Sequence, residues 1–322
     1  MDFSILSELV VAILTGIIQG ATEFLPVSST AHVRLVSSII ASGRDIGISS
    51  SNIIQLGTLV AVVQYFWQDL KQYASRLKKV ALVGPIRQDF ITNAATWLAG
   101  GNNYAGKEMD ARTDITLTQL AVGTVPILIF GLLLTNFAGA NRSLENIAWY
   151  LVAGSLLMAY GEFIHARIAK NYHQSKPPIM TVGEVVLVGL YQSLAIFPGI
   201  SRSGATIAGA LMLGRSRKES VRFSFLLSLP AVLLAGIAGV FSFITDLTNN
   251  YNFAPSSAQW TDMTINLSLI SLAVAAGCAY YVGYKCLVWL IRYLSNHPTR
   301  NFIYYRLGLA LLILVLSTTS IL

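Results

Sequence analysis

Long apolar segments constrain the fold of this 322-residue chain more than any other feature. Hydrophobic residues make up 54% of the sequence and charged residues 11%, whereas soluble globular proteins have about 25% charged residues. Only helices and closed barrels satisfy every backbone polar group inside a bilayer, and a run of about 20 apolar residues is typical of a helix that crosses it. The sequence therefore predicts an all-α integral membrane protein.

Two apolar segments are too short to cross a bilayer. Residues 32–42 and 204–214 reach only about 16 Å as helices, about half of the hydrocarbon thickness. Each follows a break rich in Pro, Gly and Ser, and each break follows another apolar segment. We therefore predict two re-entrant helix hairpins, at 5–42 and 179–214. Six further apolar segments predict six transmembrane helices: 52–66, 116–135, 146–163, 221–242, 263–291 and 302–321.

Basic residues predict the orientation of these helices, because Lys and Arg accumulate in cytoplasmic loops. The connections 67–115, 164–178, 215–222 and 292–300 are basic, whereas 243–262 has no Lys or Arg and 136–145 has only Arg142. The first group is expected in the cytoplasm, which places both termini outside. The net charge of +7 then reflects membrane topology, and we expect no nucleic-acid partner.

The two breaks also resemble each other. Six positions match at an offset of 173 residues, with Gln19, Phe24, Val27, Ser28, Thr30 and Ala31 opposite Gln192, Phe197, Ile200, Ser201, Ser203 and Gly204. Each half is predicted to cross the membrane an odd number of times, so the two halves have inverted topology. We predict one membrane domain, 1–322, that consists of two repeats. Repeat one covers 1–163 and includes a cytoplasmic loop at 67–115, and repeat two covers 179–322. Each repeat contains one re-entrant hairpin and three transmembrane helices, a plan in which broken helices form a site near the midplane.

The second break contains chemistry suited to a phosphate group. Arg202 lies between Ser201 and Ser203 at a predicted helix N-terminus, where free N–H groups, the helix dipole and a guanidinium can bind an anion together. A charge at this depth usually marks a functional site. The alternative is a structural ion pair between Arg202 and Glu23.

The first break supplies the complementary groups. Glu23 follows Gln19 by one helical turn, and side-chain oxygens at this spacing can share a divalent cation, Mg²⁺ or Ca²⁺, with the phosphates of a substrate. His32 is close enough to activate a hydroxyl or to protonate a leaving group. Cation, Arg and hydroxyl around one phosphate are typical of phosphoryl transfer. The hydroxyl candidates are Ser28, Ser29 and Thr30.

Structural roles remain open for several of these residues. The hydroxyl groups can simply bond the backbone, and His32 can be an interhelical donor. Gln19 and Gln192 can pair as symmetry-related amides. Arg34 can reach the phosphates or extend outward to the membrane surface, and we favour the second.

Two motifs resemble one known family closely, the undecaprenyl-diphosphate phosphatase (bacitracin-resistance) family. They are Glu23-Phe24-Leu25-Pro26-Val27-Ser28-Ser29-Thr30-Ala31-His32 and Pro198-Gly199-Ile200-Ser201-Arg202-Ser203-Gly204-Ala205-Thr206. The resemblance extends over nearly the whole chain. It implies a bacterial plasma-membrane enzyme that hydrolyses undecaprenyl diphosphate, recycles the lipid carrier of peptidoglycan synthesis, requires a divalent cation and opens its active site to the external face.

By position, the resemblance implies a role for each site residue. Ser29 is the nucleophile candidate, His32 the catalytic histidine and Arg202 the phosphate-binding arginine, while Gln19 and Glu23 form the acidic motif. Because this chain has Gln19 where members carry Glu or Gln, Glu23 is expected to be the main cation ligand. Supporting phosphate ligands are expected at Ser28, Thr30, Ser201, Ser203 and Thr206.

These residues suggest one mechanism and leave alternatives. In the favoured one, Ser29 attacks the terminal phosphorus and His32 serves as base for the serine and later for water. In a rival mechanism Ser29 is a ligand, and His32 activates water or attacks directly. A lipid or solute transporter using the same site is the alternative function, and a homodimer is compatible with the sequence.

Overall fold

The computed structural model of the chain is helical, as the apolar segments predict. It describes residues 5–40, 45–82, 115–134, 137, 141–171, 180–250 and 267–318. Within these ranges every regular element is a helix: α1 (Ile5–Glu23), α2 (Ser29–Ile40), α3 (Gly47–Tyr65), α4 (Trp67–Leu82), α5 (Leu117–Leu133), α6 (Leu144–Asn171), α7 (Val182–Ser193), a 3₁₀ helix (Leu194–Ile196), α8 (Arg202–Met212), α9 (Arg217–Asn250), α10 (Leu269–Asn296) and α11 (Arg300–Thr318).

Four helices are long and apolar enough to cross a membrane. They cover 144–169 in α6, 217–245 in α9, and the whole of α10 and α11. The other two predicted spans give α3 and α5. Helix α5 has only 17 residues, which is about 26 Å, and α3 carries Ser51, Asn52 and Gln55 among its apolar residues. Of the predicted cytoplasmic loop 67–115, the first part forms α4 and residues 83–114 lie outside the described ranges.

Both predicted hairpins are helix–turn–helix units. A turn at 24–27 joins α1 to α2, and the 3₁₀ helix followed by a short loop joins α7 to α8. Each second helix begins after a serine with positive φ, 73° at Ser28 and 71° at Ser201. The hydroxyl of Ser28 accepts a bond from the N–H of Ala31, and that of Ser201 accepts one from the N–H of Gly204. The two aligned serines therefore cap their helices in the same way.

Small residues allow the first helix of each hairpin to pack closely on a helix from the other half. A Cβ added to Gly16 of α1 would lie 2.2 Å from the carbonyl oxygen of Ala275 in α10. Its counterpart Gly189 in α7 packs on α5, with the carbonyl oxygen of Gly123 2.4 Å from the same added atom. Close backbone approach at small residues is typical of helices packed within membranes. Helix α3 also packs against α10, with Gly57 on Ala276.

Three arginines at the start of α9 or just before it form ion pairs with three other helices. Arg215 lies 2.6 Å from Glu184 of α7, and Arg222 lies 2.6 Å from Asp69 of α4. Arg217 donates two bonds of 2.6 Å to Glu162 of α6. Glu162 also accepts from the backbone N–H and hydroxyl of Thr299. These pairs fix the end of the helical bundle opposite to the hairpin turns.

Candidate active site

The two hairpin turns line one cavity of about 240 Å³. Its polar wall is formed by the turns and by α3, and its apolar wall includes Ala231, Val232 and Ala235 of α9. The side chains predicted for the chemistry that line it are Gln19, Glu23, Ser28, Ser29, Thr30, Ser201 and Arg202. A cavity with one polar and one apolar wall fits an amphipathic ligand with a charged head group.

Glu23 connects the two turns. Its Oε1 accepts a bond of 2.8 Å from Nη2 of Arg202, so the ion pair considered from the sequence is present. Its Oε2 accepts bonds of 2.7 Å from the Ser29 hydroxyl and from Nε2 of Gln19. The side chains of Arg202 and Glu23 are only 16% and 7% exposed. The hydroxyl proton of Ser29 is therefore directed at a carboxylate that an arginine holds in place.

His32 has different partners from those expected. Its Nδ1 lies 2.7 Å from the Ser28 carbonyl oxygen and its Nε2 lies 2.7 Å from the hydroxyl of Tyr305, whose ring stacks on the imidazole. A carbonyl oxygen only accepts, so Nδ1 carries the proton, and in the neutral ring Nε2 accepts from Tyr305. Both ring nitrogens are thus engaged away from Ser29. The structure brings Glu23 to the serine hydroxyl, and His32 to α11.

Two helix N-termini meet at the cavity. Ser28 and Ser201, the positive-φ residues that cap α2 and α8, both line it. Left-handed backbone at a non-glycine residue costs about 1–3 kcal/mol and clusters at functional sites. Free N–H groups at the start of a helix, together with its dipole, bind anions. The strained caps therefore direct two sets of N–H groups towards one space.

Two predicted phosphate ligands lie behind the cavity wall. The hydroxyl of Ser203 lies 3.2 Å from that of Ser201 and 3.5 Å from the carbonyl oxygen of Leu25, so it links the two turns. Thr206 is fully buried and bonds the Ser224 hydroxyl of α9. It lies one turn into α8, away from the N-terminus, and its contact fixes α8 against α9.

The predicted amide pair between the repeats is not formed. Gln19 donates to Glu23, whereas Gln192 is completely buried and its amide has no hydrogen-bond partner among the described residues. Arg34 is also placed differently from the favoured expectation. Its Nη1 donates to Ser38 and its Nε lies 4.0 Å from Asp45, so the side chain lies within the protein and does not extend to the membrane surface.

Arg306 of α11 is a site residue that the sequence analysis missed. Its side chain is completely buried, and it donates to the carbonyl oxygens of Pro26, Gly199 and Ile200 at 3.0–3.2 Å. It also bonds Ser155 and the Leu151 carbonyl of α6. One guanidinium therefore holds the backbone of both turns. The signal was available, because Arg306 interrupts an apolar segment and charges at such depth are costly.

The residues around Glu23 suit a hard cation only in part. Gln19, Glu23 and the hydroxyl groups offer oxygen ligands of the kind that Mg²⁺ and Ca²⁺ prefer. Glu23 is the only carboxylate among the residues that line the cavity, and no group of three or more His, Cys, Asp or Glu side chains that could hold a metal occurs in the described ranges. This donor set fits a cation completed by substrate oxygens and not one enclosed by protein ligands alone.

Comparison with known proteins gives a consistent result. The sequence model of the family described as bacitracin resistance protein BacA matches residues 12–312. A protein of Chlorobium phaeovibrioides named undecaprenyl-diphosphatase is 36% identical over 315 residues, covering 96% of this chain and 97% of the relative. The undecaprenyl-diphosphatase of Micrococcus luteus is 34% identical over 298 residues, with 92% of each chain covered.

Proposed function

Because the chain belongs to the bacitracin resistance protein BacA family, we propose that it hydrolyses undecaprenyl diphosphate to undecaprenyl phosphate and inorganic phosphate. The product is the lipid carrier that peptidoglycan synthesis uses again. The observation that supports this reaction best is the hydrogen-bonded chain from Ser29 through Glu23 to Arg202. It joins the side chains that we propose as nucleophile, base and phosphate-binding group in a cavity with an apolar wall.

We propose that Ser29 attacks and that Glu23 is its base. Oγ of Ser29 forms a bond to the terminal phosphorus as its proton passes to Oε2 of Glu23. The anhydride P–O bond breaks, and undecaprenyl phosphate leaves with the proton that Glu23 returns. Water then attacks the phosphoserine as its proton passes to Glu23, the bond between phosphorus and Oγ breaks, and Glu23 returns the proton to Oγ, which releases inorganic phosphate and free Ser29.

Arg202 and the two helix N-termini would stabilise the charge of the transition state. Nη2 of Arg202 donates to Glu23, so the other guanidinium N–H groups can bind the phosphate. Gln19 and Glu23 would hold the divalent cation. A bound Mg²⁺ or Ca²⁺ would neutralise the negative charge of the diphosphate. Thr30, Ser28 and Ser201 are proposed as further phosphate ligands because they line the same cavity.

The contacts of His32 favour a positioning role. Its bonds join the carbonyl oxygen of Ser28 to Tyr305, which fixes the turn that presents Ser29. The rival mechanism, in which His32 activates water, requires the imidazole to leave Tyr305.

We also propose the complete architecture predicted from the sequence, with six transmembrane helices, two re-entrant hairpins and a site open to the external face. The matched caps at Ser28 and Ser201 and the equivalent packing of Gly16 and Gly189 support inverted repeats. The polar residues of α3 that face the cavity explain why this helix is less apolar than a typical span.

Phosphate release from undecaprenyl diphosphate by the purified protein in detergent tests the function. Wild type is expected to release phosphate, and Ser29→Ala to lose at least about 100-fold in kcat. Ser317→Ala is the matched control, because that hydroxyl bonds a helix carbonyl in α11, and it should keep full activity. Full activity of Ser29→Ala would exclude the serine route, and no release with any divalent cation would favour a transporter.

A further inference from the structure

A second arginine faces the cavity, and the proposed mechanism does not use it. Arg142 lies just before α6 and lines the cavity that contains Glu23 and Arg202. These two arginines are the cationic residues among those that line it. Arg202 is neutralised by Glu23 at 2.8 Å, so Arg142 and its neighbours determine the net charge of the cavity wall.

Asp45 holds Arg142 by one edge of its guanidinium. Nε of Arg142 donates to Oδ2 of Asp45 at 2.9 Å, and Nη2 lies 2.7 Å from the same oxygen. Asp45 is buried, with 8% of its surface exposed, so the contact fixes the plane of the guanidinium. Nη1 lies at the other end of that plane and has no hydrogen-bond partner among the described residues.

Asp45 also lies close to a second arginine. Arg34 of α2 also approaches Oδ2, with its Nε at 4.0 Å, so two guanidinium groups share one carboxylate. A buried ion pair is weak evidence for stability, because desolvation offsets the attraction. An orientated cation beside an anion-binding cavity is better explained by a ligand.

We propose that Arg142, orientated by Asp45, is a second phosphate-binding residue and contacts the phosphate group of a diphosphate that Arg202 does not. The proposal rests on the proposed function, because it assigns the second half of the same substrate head group. The proposed ligand class is a diphosphate, because its two phosphate groups can bind two guanidinium groups. A monophosphate can bind one. Arg142 is a binding residue here, and Asp45 is a positioning residue.

Calorimetric binding of inorganic diphosphate and inorganic phosphate to the purified protein tests the proposal without requiring turnover. Arg142→Gln is expected to weaken diphosphate binding about tenfold or more, the usual effect of losing a hydrogen bond to a charged group. Phosphate binding should change less than about threefold, because Arg202 remains. Arg142→Lys keeps the charge without the planar fork and should fall between wild type and Arg142→Gln. Arg292→Gln, an exposed arginine of α10, is the matched control for lost charge and should bind as wild type does.

Asp45→Asn separates orientation from charge. Removal of the carboxylate makes the cavity wall more positive, so a purely electrostatic effect would strengthen diphosphate binding. The proposal predicts weaker binding, because Arg142 loses its anchor. Stronger binding in Asp45→Asn, or diphosphate binding by Arg142→Gln equal to that of Arg292→Gln, would overturn it. Diphosphate binding that depends on Arg142 in a protein that hydrolyses no lipid diphosphate would instead contradict only the proposed function.

Discussion

Replacement of Arg306 by methionine is the sharpest test of how the two turns are held together. The guanidinium is the shared donor to Pro26 of the first turn and to Gly199 and Ile200 of the second. Methionine keeps the apolar stem of the side chain but has no donor and ends short of the guanidinium position, so it leaves the three carbonyl oxygens of the turns without this partner. The perturbation therefore removes the link and keeps only the packing of the apolar stem.

The magnitude follows from the number of acceptors. A buried acceptor that loses its donor costs about 1–3 kcal/mol, so the three carbonyl oxygens of the turns alone cost roughly 3–9 kcal/mol. Loss of the desolvation penalty of a buried charge offsets part of this cost. We expect a net loss of about 3 kcal/mol or more, a large share of the 5–15 kcal/mol that typically stabilises a folded protein.

Thermal unfolding in detergent and phosphate release measure the two consequences. Arg306→Met should lower Tm by at least about 5 °C, and kcat should fall at least tenfold at temperatures where the protein is folded, since the turns that carry Ser29 and Arg202 are no longer joined. Arg300→Met is the control, because Arg300 lies exposed at the start of the same helix. Equal Tm and kcat in the two variants would refute the assigned role of Arg306.

Four further predictions concern the cation, packing, ion pairs and His32. Removal of divalent cations with a chelator should abolish phosphate release, and added Mg²⁺ or Ca²⁺ should restore it; release unaffected by chelation would exclude the cation. Gly16→Leu should prevent accumulation of folded protein in size-exclusion chromatography, because its added atoms meet the backbone of α10, whereas Gly277→Leu has open space and should behave as wild type. Glu162→Gln should lower Tm by several degrees with kcat unchanged. Tyr305→Phe, which removes the hydroxyl that bonds His32, should reduce kcat less than tenfold; a loss equal to that of Ser29→Ala would contradict the positioning role.

Structural features that depend on residues close together in the sequence were predictable. The length of an apolar segment and a Pro- and Ser-rich break determine where a helix begins and ends, and both hairpins are found as helix–turn–helix units near their predicted bounds. The repeat offset was also visible in single residues, and Ser28 and Ser201 share a positive φ. The ion pair between Arg202 and Glu23, which the sequence left open as an alternative, is present, and it could be considered because Glu23 is the acidic residue in the first break.

Contacts between distant parts of the chain were not predictable in the same way. The direction of the His32 ring depends on Tyr305, which is 273 residues away in sequence, and no local pattern contains that information. Spacing in the sequence alone made His32 the expected base of Ser29, but stacking on Tyr305 of α11 directs the imidazole away from Ser29. Thr206 likewise matched a motif position, yet its place one turn into α8 directs it to Ser224.

The position of Arg306 in the chain has a consequence for biosynthesis. The first turn leaves the ribosome early and the second after about two thirds of the chain, but the residue that joins them belongs to the last helix, Arg300–Thr318. Neither turn has this donor until that helix has been synthesised. A nascent chain that contains Glu23, Ser29 and Arg202 but not yet α11 is therefore expected to lack the shared donor of its two turns.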